Sequence, residues 1–235
     1  MLGFMVRIVL VLRSGGDYSI KDVELISHHI HNTTPGADIY CLHDQAPCEY
    51  FIGVEDRVTT MLPMPYRYKG WWSKLNLFSP EMKKYRPFLY MDLDTAVIND
   101  VRNIVPTNKD KNEFITIEDF YRPGLGASGI IWVPEHSDKI DKIWENRPEI
   151  GSENPKRRMD YYVKETIQEP DSFFGGKGIY SFKPTHKQGE AKWLREIPNS
   201  ANMICFHGKP RIWKAAEQVE WVRNYVNEYK IYNNL

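Results

Sequence analysis

Apolar positions in this chain fall into short runs and stripes whose period shifts between that of a strand and that of a helix. Val6 to Leu12 is a β-branched and leucine run, interrupted only by Arg7, that stops at Ser14-Gly15-Gly16-Asp17. Ile20, Val23, Ile26 and Ile30 then recur near helical spacing, so the opening reads strand, glycine turn, helix. Ala37 to Leu42 and Val58 to Met61 predict second and third strands, the latter ended by Pro63 and Pro65. Trp71, Leu75, Phe78 and Met82 form a helical stripe that leads through Pro87 to the apolar run Phe88-Leu89-Tyr90-Met91. Further strands are predicted at Phe114 to Ile117, Gly129 to Val133 and Met203 to Phe206, with a short helix around Ile140, Ile143 and Trp144. From Ala215 to Tyr229, Val219, Val222, Val226 and Tyr229 share one face, which predicts a C-terminal helix packed on the sheet. The weakest pattern lies between Asn146 and Ser172, where Pro148, Pro155, Pro170 and Lys156-Arg157-Arg158 suggest a lid or an insertion; the basic triplet reads first as a solvated face.

Alternating strands and helices over 235 residues fit an α/β chain with ample material for a core. Lysine plus arginine equals aspartate plus glutamate at 31 each, so no overall basic field points to nucleic acid. No apolar run approaches the ~18 residues of a membrane span. The three cysteines, Cys41, Cys48 and Cys205, include no C-x-x-C pair, which favours a reducing compartment, and the expected location is cytoplasmic.

Chemistry enters where the central apolar run ends in Asp92-Leu93-Asp94. Ionised groups cost several kcal/mol to bury unpaired, so these acids belong at the strand's mouth, where open α/β sheets bind ligands. A period of two puts both side chains on one face, within reach of one hard cation such as Mn²⁺ or Mg²⁺. The alternative is a solvated acid pair at a strand-to-turn junction. A second segment, Cys205-Phe206-His207-Gly208-Lys209-Pro210-Arg211-Ile212-Trp213, follows another apolar strand. His207 offers a neutral imidazole, which with two aspartates favours Mn²⁺ over Mg²⁺; Gly208 permits close backbone approach to a diphosphate and Lys209 supplies a point charge. Taken alone, such a histidine is more often structural.

The order of these pieces resembles the GT-A-fold glycosyltransferases of the glycogenin and galactosyltransferase type, family eight. The resemblance is carried by Ser73-Lys74-Leu75, Tyr90-Met91-Asp92-Leu93-Asp94-Thr95, Ala127-Ser128-Gly129-Ile130, an acid near Asp160, and Phe206-His207-Gly208-Lys209-Pro210, and it spans about residues 6 to 213. It implies a single GT-A (Rossmann-like) domain over 1–235, with a mixed, mostly parallel sheet flanked by helices. Residues of about 6–100 would form the nucleotide-binding half, about 101–213 the sugar and acceptor half, and 214–235 a C-terminal helix. It also implies a retaining transferase that moves a sugar from a nucleotide diphosphate donor, UDP favoured, to a glycan, lipid or protein acceptor. Asp92, Asp94 and His207 would then hold Mn²⁺. Lys74, Asp92, Ser128, Gly208 and Lys209 would contact the donor, and Leu12, Ser14 and Tyr18 would line the nucleoside pocket, with Tyr18 stacked on the base.

The family's Asn-Ser-Gly is here Ala127-Ser128-Gly129, its Asp-Gln has no literal match, and its late H-x-x-G-x-x-K-P-W is compressed, keeping Lys209-Pro210 and Trp213. Asp160 is the expected acid beside the anomeric carbon, with Asp171 its competitor; Asp160 also reads as an acid at a helix N-terminus. Two other functions fit parts of the pattern. Asp92-Leu93-Asp94-Thr95 resembles the first motif of haloacid-dehalogenase-type phosphatases, although that motif belongs on a first strand. A nucleotide-sugar or carbohydrate-binding module without turnover would suit seven tryptophans and fourteen tyrosines.

Overall fold

The computed structural model describes residues 5–54, 57–106, 112–154, 156–157, 170–183 and 193–232. It is built on two sheets. In chain order the elements are β1 (Arg7–Leu12), α1 (Ile20–Thr33), β2 (Asp38–His43), β3 (Tyr50–Val54), β4 (Arg57–Pro63), β5 (Phe88–Met91), β6 (Thr95–Val97), β7 (Ile115–Glu118), β8 (Gly126–Val133), α2 (Asp138–Glu145), β9 (Ser172–Phe173), β10 (Ile179–Ser181), β11 (Met203–Cys205), α3 (Ile212–Ala215) and α4 (Glu220–Tyr232). Short 3-10 helices span Gly70–Phe78, Pro80–Tyr85 and Val101–Asn103.

The larger sheet has eight strands in the order β3-β4-β2-β1-β5-β8-β7-β9. Strands β4, β2, β1 and β5 form a parallel block, β8 runs against both β5 and β7, β3 runs against β4, and β9 is parallel to β7. The expectation of a mixed, mostly parallel central sheet flanked by helices is met. Period two explains how the central strands are covered on both faces. Ile8, Leu10 and Leu12 of β1 and Leu89 and Met91 of β5 enter the core shared with α1. Val9, Phe88 and Tyr90 face the opposite core, with Trp72, Leu75, Phe78 and Met82 from the 3-10 helices and Ile140 and Ile143 from α2. Such runs are apolar throughout because neither face meets water.

A smaller sheet, β10-β11-β6, packs against α4 through Phe182, Ile204, Phe206, Val222 and Val226. Strand β6 follows β5 after three residues yet belongs to this second sheet, so Asp92-Leu93-Asp94 is the joint between the two. Two expectations change here. The stripe from Trp71 to Met82 is two 3-10 helices rather than one helix, since Ser79 is extended (φ −66°, ψ 157°) and Pro80 cannot continue the first. The Asn76 side chain also takes backbone partners, accepting from Tyr66 N at 2.8 Å and donating to Ser73 O at 2.8 Å. The C-terminal helix is divided, with Val219 between α3 and α4. Of the proposed lid or insertion, residues 155 and 158–169, Arg158 among them, lie outside the described residues, and its far end supplies β9.

Candidate active site

The end of β5 fixes Asp92 through its backbone. Its N–H donates to Gly129 O at 2.8 Å, which prolongs the β5–β8 ladder by one residue. The Asp92 carboxylate meets Lys74 Nζ at 2.8 Å and accepts a short hydrogen bond from the Tyr90 hydroxyl. Lys74 is itself buried and also donates to Ser128 O and Oγ, both at 3.2 Å. Burial pushes the Asp92 carboxyl above the usual aspartate range while Lys74 pulls it down, and burial prevails.

The chain then turns at Leu93-Asp94 before β6, so the strand period does not reach Asp94. Asp94 is 5% exposed and its Oδ2 accepts twice, from the Tyr18 hydroxyl at 2.7 Å and from Arg211 Nη1 at 2.6 Å. Arg211 Nη2 reaches Asp17 Oδ2 at 3.0 Å in the turn after β1, and its guanidinium lies 4.5 Å from the centre of the Tyr18 ring. The hydrogen bond from Arg211 holds the Asp17 carboxyl below its ordinary value. Tyr18 is thus placed beside the two acids, and its ring face carries Arg211. Trp213 Nε1 donates to Asp22 Oδ1 at 2.9 Å, which pins the same late segment to the first turn of α1.

Histidine 207 follows β11. Its Nε2 lies 2.6 Å from Ser181 Oγ, and its ring stacks on Phe120 with centroids 5.3 Å apart and packs edge-on to Tyr121 at 5.1 Å. Gly208 takes φ +78°, a region favourable to glycine, and Lys209 is exposed, its carbonyl accepting from Lys183 Nζ at 2.8 Å. At the neighbouring strand ends Leu12 is buried, while Ser14 donates to Asp44 through its N–H at 2.7 Å and its Oγ at 2.5 Å. Arg13 pairs with the same carboxylate, and its Nε donates to Tyr68 O at 3.1 Å.

The structure therefore gathers Lys74, Asp92 and Ser128 into one cluster and Tyr18 and Asp94 into the next. It does not bring Asp92, Asp94 and His207 together as a ligand set. Among the described residues, the three-membered group of His, Cys, Asp or Glu whose ligand atoms all lie within 4.8 Å of one another is His28, His29 and Glu228, between α1 and α4. With Lys74 on one aspartate, Arg211 on the other and Ser181 on the imidazole, the residues expected to hold Mn²⁺ do not fit a divalent cation as they stand. The shared strand face expected for Asp92 and Asp94 is lost because β5 ends at Met91.

Asp171 lies elsewhere. Its Oδ2 accepts from Phe114 N at 2.8 Å and its Oδ1 pairs with Lys139 at 2.6 Å, beside the start of β7. Ser172 is level with Ile115, which is level with Trp132 and Leu89, so Asp171 sits toward the N-terminal end of β5, away from Asp92. Asp160 lies outside the described residues. Asp17, Asp44, Phe120 and Ser181 have no place in the sequence-based site, and Arg211 enters it only as an alternative phosphate contact alongside Arg13. Only Arg211 carried a signal, as a cation two residues after Lys209 in the H-G-K-P segment.

No family model matches the chain, and no curated protein matches it in sequence. Solved structures do match in fold. The WbbM bifunctional glycosyltransferase aligns with a TM-score of 0.61 at 9% identity, over 96% of this chain and 49% of WbbM. LgtC, described as a galactosyltransferase in complex with donor and acceptor sugar analogs, aligns at 0.57 and 10% identity over 95% of each chain. The glycosyltransferase GlyE of Streptococcus pneumoniae TIGR4 aligns at 0.62 and 12% identity, over 96% of this chain and 60% of GlyE. The chain thus spans about half of WbbM and nearly all of LgtC. At 9–12% identity the likeness is one of architecture, and the architecture is the GT-A type of these glycosyltransferases.

Proposed function

We propose that the chain transfers a hexosyl group, with retention, from a nucleoside diphosphate sugar, UDP-linked by preference, to a glycan, lipid or protein acceptor. The observation that carries this reading is the pairing of Asp92 with Lys74 and of Asp94 with Arg211, at the ends of β5 and β1 where a doubly covered sheet binds ligands. Likeness in fold to a galactosyltransferase solved with donor and acceptor analogs supports the choice of substrate class.

The chemistry asks for cations rather than for a strong acid. As the bond from the anomeric carbon to the diphosphate breaks, negative charge grows on the departing oxygen, and fixed cations stabilise it where it appears. Lys74 and Arg211 are held beside the aspartates, Lys209 precedes Arg211 in the same segment, and Tyr18, with Arg211 over its ring, would line the nucleoside pocket. The carbon itself becomes oxocarbenium-like, and Asp160 remains the acid assigned to that charge.

Donor hydrolysis without acceptor tests the reading, because it passes through the same bond cleavage. Incubation with a panel of nucleotide sugars is expected to release nucleoside diphosphate from one of them, most from a UDP-hexose, and Asp160→Asn is expected to lower the rate while leaving donor affinity within a few-fold. Binding without release would leave a sugar-nucleotide-binding module, and release of inorganic phosphate from a phosphoester would favour a phosphatase.

A further inference from the structure

We infer that Arg211 takes the position of the divalent cation in this donor site, so that the nucleoside diphosphate is bound without metal. The inference rests on the donor site proposed above and concerns what balances its charge.

Arg211 is fixed on three sides. Nη1 is 2.6 Å from Asp94 Oδ2, Nη2 is 3.0 Å from Asp17 Oδ2, and the guanidinium plane sits 4.5 Å from the Tyr18 ring centre. Its Ile212-Trp213 neighbours hold the backbone below it, Ile212 in the core against α4 and Trp213 on Asp22. An arginine so constrained is a positioned charge, not a side chain swinging in water. A guanidinium carries five N–H donors, and the two aspartates engage one each by these contacts, which leaves donors for phosphate oxygens.

The charges close around this arrangement. Asp92 is paired with Lys74 and Asp94 with Arg211, while Asp17 shares Arg211 and feels Lys209, so three carboxylates meet three cations and the cluster carries no excess negative charge to attract an ion. A divalent cation would have to expel Arg211 from a buried carboxylate and detach Tyr18 with it. The third expected ligand is turned to other work, since His207 bonds to Ser181 and lies between Phe120 and Tyr121. The N–H donors of Arg211 that the aspartates leave open would do part of what a metal would do, namely meet the phosphate oxygens and the charge that develops when the diphosphate leaves.

Two measurements on the full chain test this. Mn²⁺ titration followed by electron paramagnetic resonance, with no nucleotide, is expected to show no stoichiometric Mn²⁺ bound at micromolar protein. One Mn²⁺ per chain that disappears in Asp94→Asn would overturn the inference by itself. Calorimetry with UDP is then expected to give affinities in EDTA and in Mn²⁺ that agree within about threefold, with Arg211→Gln weakening binding in EDTA by about tenfold or more and Arg211→Lys by less. A melting temperature near that of the parent for Arg211→Lys keeps the comparison free of folding effects. UDP binding that needs Mn²⁺ would overturn the role of Arg211 and leave the donor reading standing. Failure of UDP, ADP, GDP, CDP and TDP to bind in either buffer would overturn the donor reading, and this inference with it.

Discussion

Lys74 shows how a single side chain can be read twice. It is 7% exposed, and a lysine so buried is tolerated because Asp92 and Ser128 take its protons. Removing it leaves Asp92 unpaired at a site that is still partly open to water, with 28% of that side chain exposed, so the cost should fall below that of a fully buried pair. Lys74→Ala is expected to lower stability by about 2 kcal/mol in urea denaturation, and Asp92→Asn added to it should recover much of the loss, because the second change removes the stranded charge. Recovery of less than half of the loss would mean that Lys74 acts mainly through its methylenes. The residue pattern disclosed Lys74 and Asp92, since each lies in a short motif. It could not disclose Asp44 or Arg211 as partners of Ser14 and Asp94, because those contacts join positions 30 and 117 residues apart and leave no local trace.

Among elements, the ones legible in sequence are those whose environment is periodic. Strands β1, past Arg7, and β5 face a core on both sides and read as apolar runs, and Leu89, fully buried, is the residue on which this can be weighed. Leu89→Ala is expected to cost about 2–5 kcal/mol by the cavity it leaves, read as a shift in urea midpoint. The two- and three-residue strands β6, β9 and β10 were not legible, since each is defined by a partner far along the chain, as β10 is by β11 and β9 by β7. The pairing of α1 with α4 was equally silent, although it sets how the protein responds to acid. His29 stacks on Tyr225 with centroids 3.5 Å apart and its Nε2 lies 2.9 Å from the Tyr225 carbonyl; burial depresses its pKa from the ordinary 6.5 to about 4, and burial lowers that of His28 as well. A histidine that stays neutral in the folded state while the unfolded chain takes up a proton costs nothing at pH 7 and costs progressively more as the pH falls from about 6.5 toward about 4. The loss from His29 should be on the order of 3 kcal/mol across that window. Melting temperatures measured from pH 7 to pH 4 should decline, and His29→Phe, which keeps a stacking ring and removes the titration, should flatten the decline even if it lowers the value at pH 7.

On the scale of the whole molecule the two sheets are not independent bodies. Phe206 N donates to Asp94 O at 2.8 Å, Val97 N to the Tyr225 hydroxyl at 3.1 Å, and Val101 N to Thr34 Oγ1 at 2.8 Å, so the small sheet, α4 and α1 close around one joint. Strand β11 lies in the middle of the small sheet and is the partner of both β6 and β10. A chain shortened to end at residue 202 is therefore expected to lose cooperative unfolding, checked by comparing near-ultraviolet circular dichroism with far-ultraviolet melting. An intact sharp transition would show that the eight-stranded sheet stands alone.

The link between Asp17 and Arg211 spans 194 positions, and that span gives the molecule a schedule. During synthesis the glycine turn emerges early and the carboxylates follow, but for most of elongation they have no arginine to face. An incomplete chain thus carries Asp17 and Asp94 without their arginine, while Lys74 is already present to pair with Asp92. The charges at the ends of β1 and β5 are matched only when the late segment has come back to the first turn, so their pairing belongs to the last stage of folding.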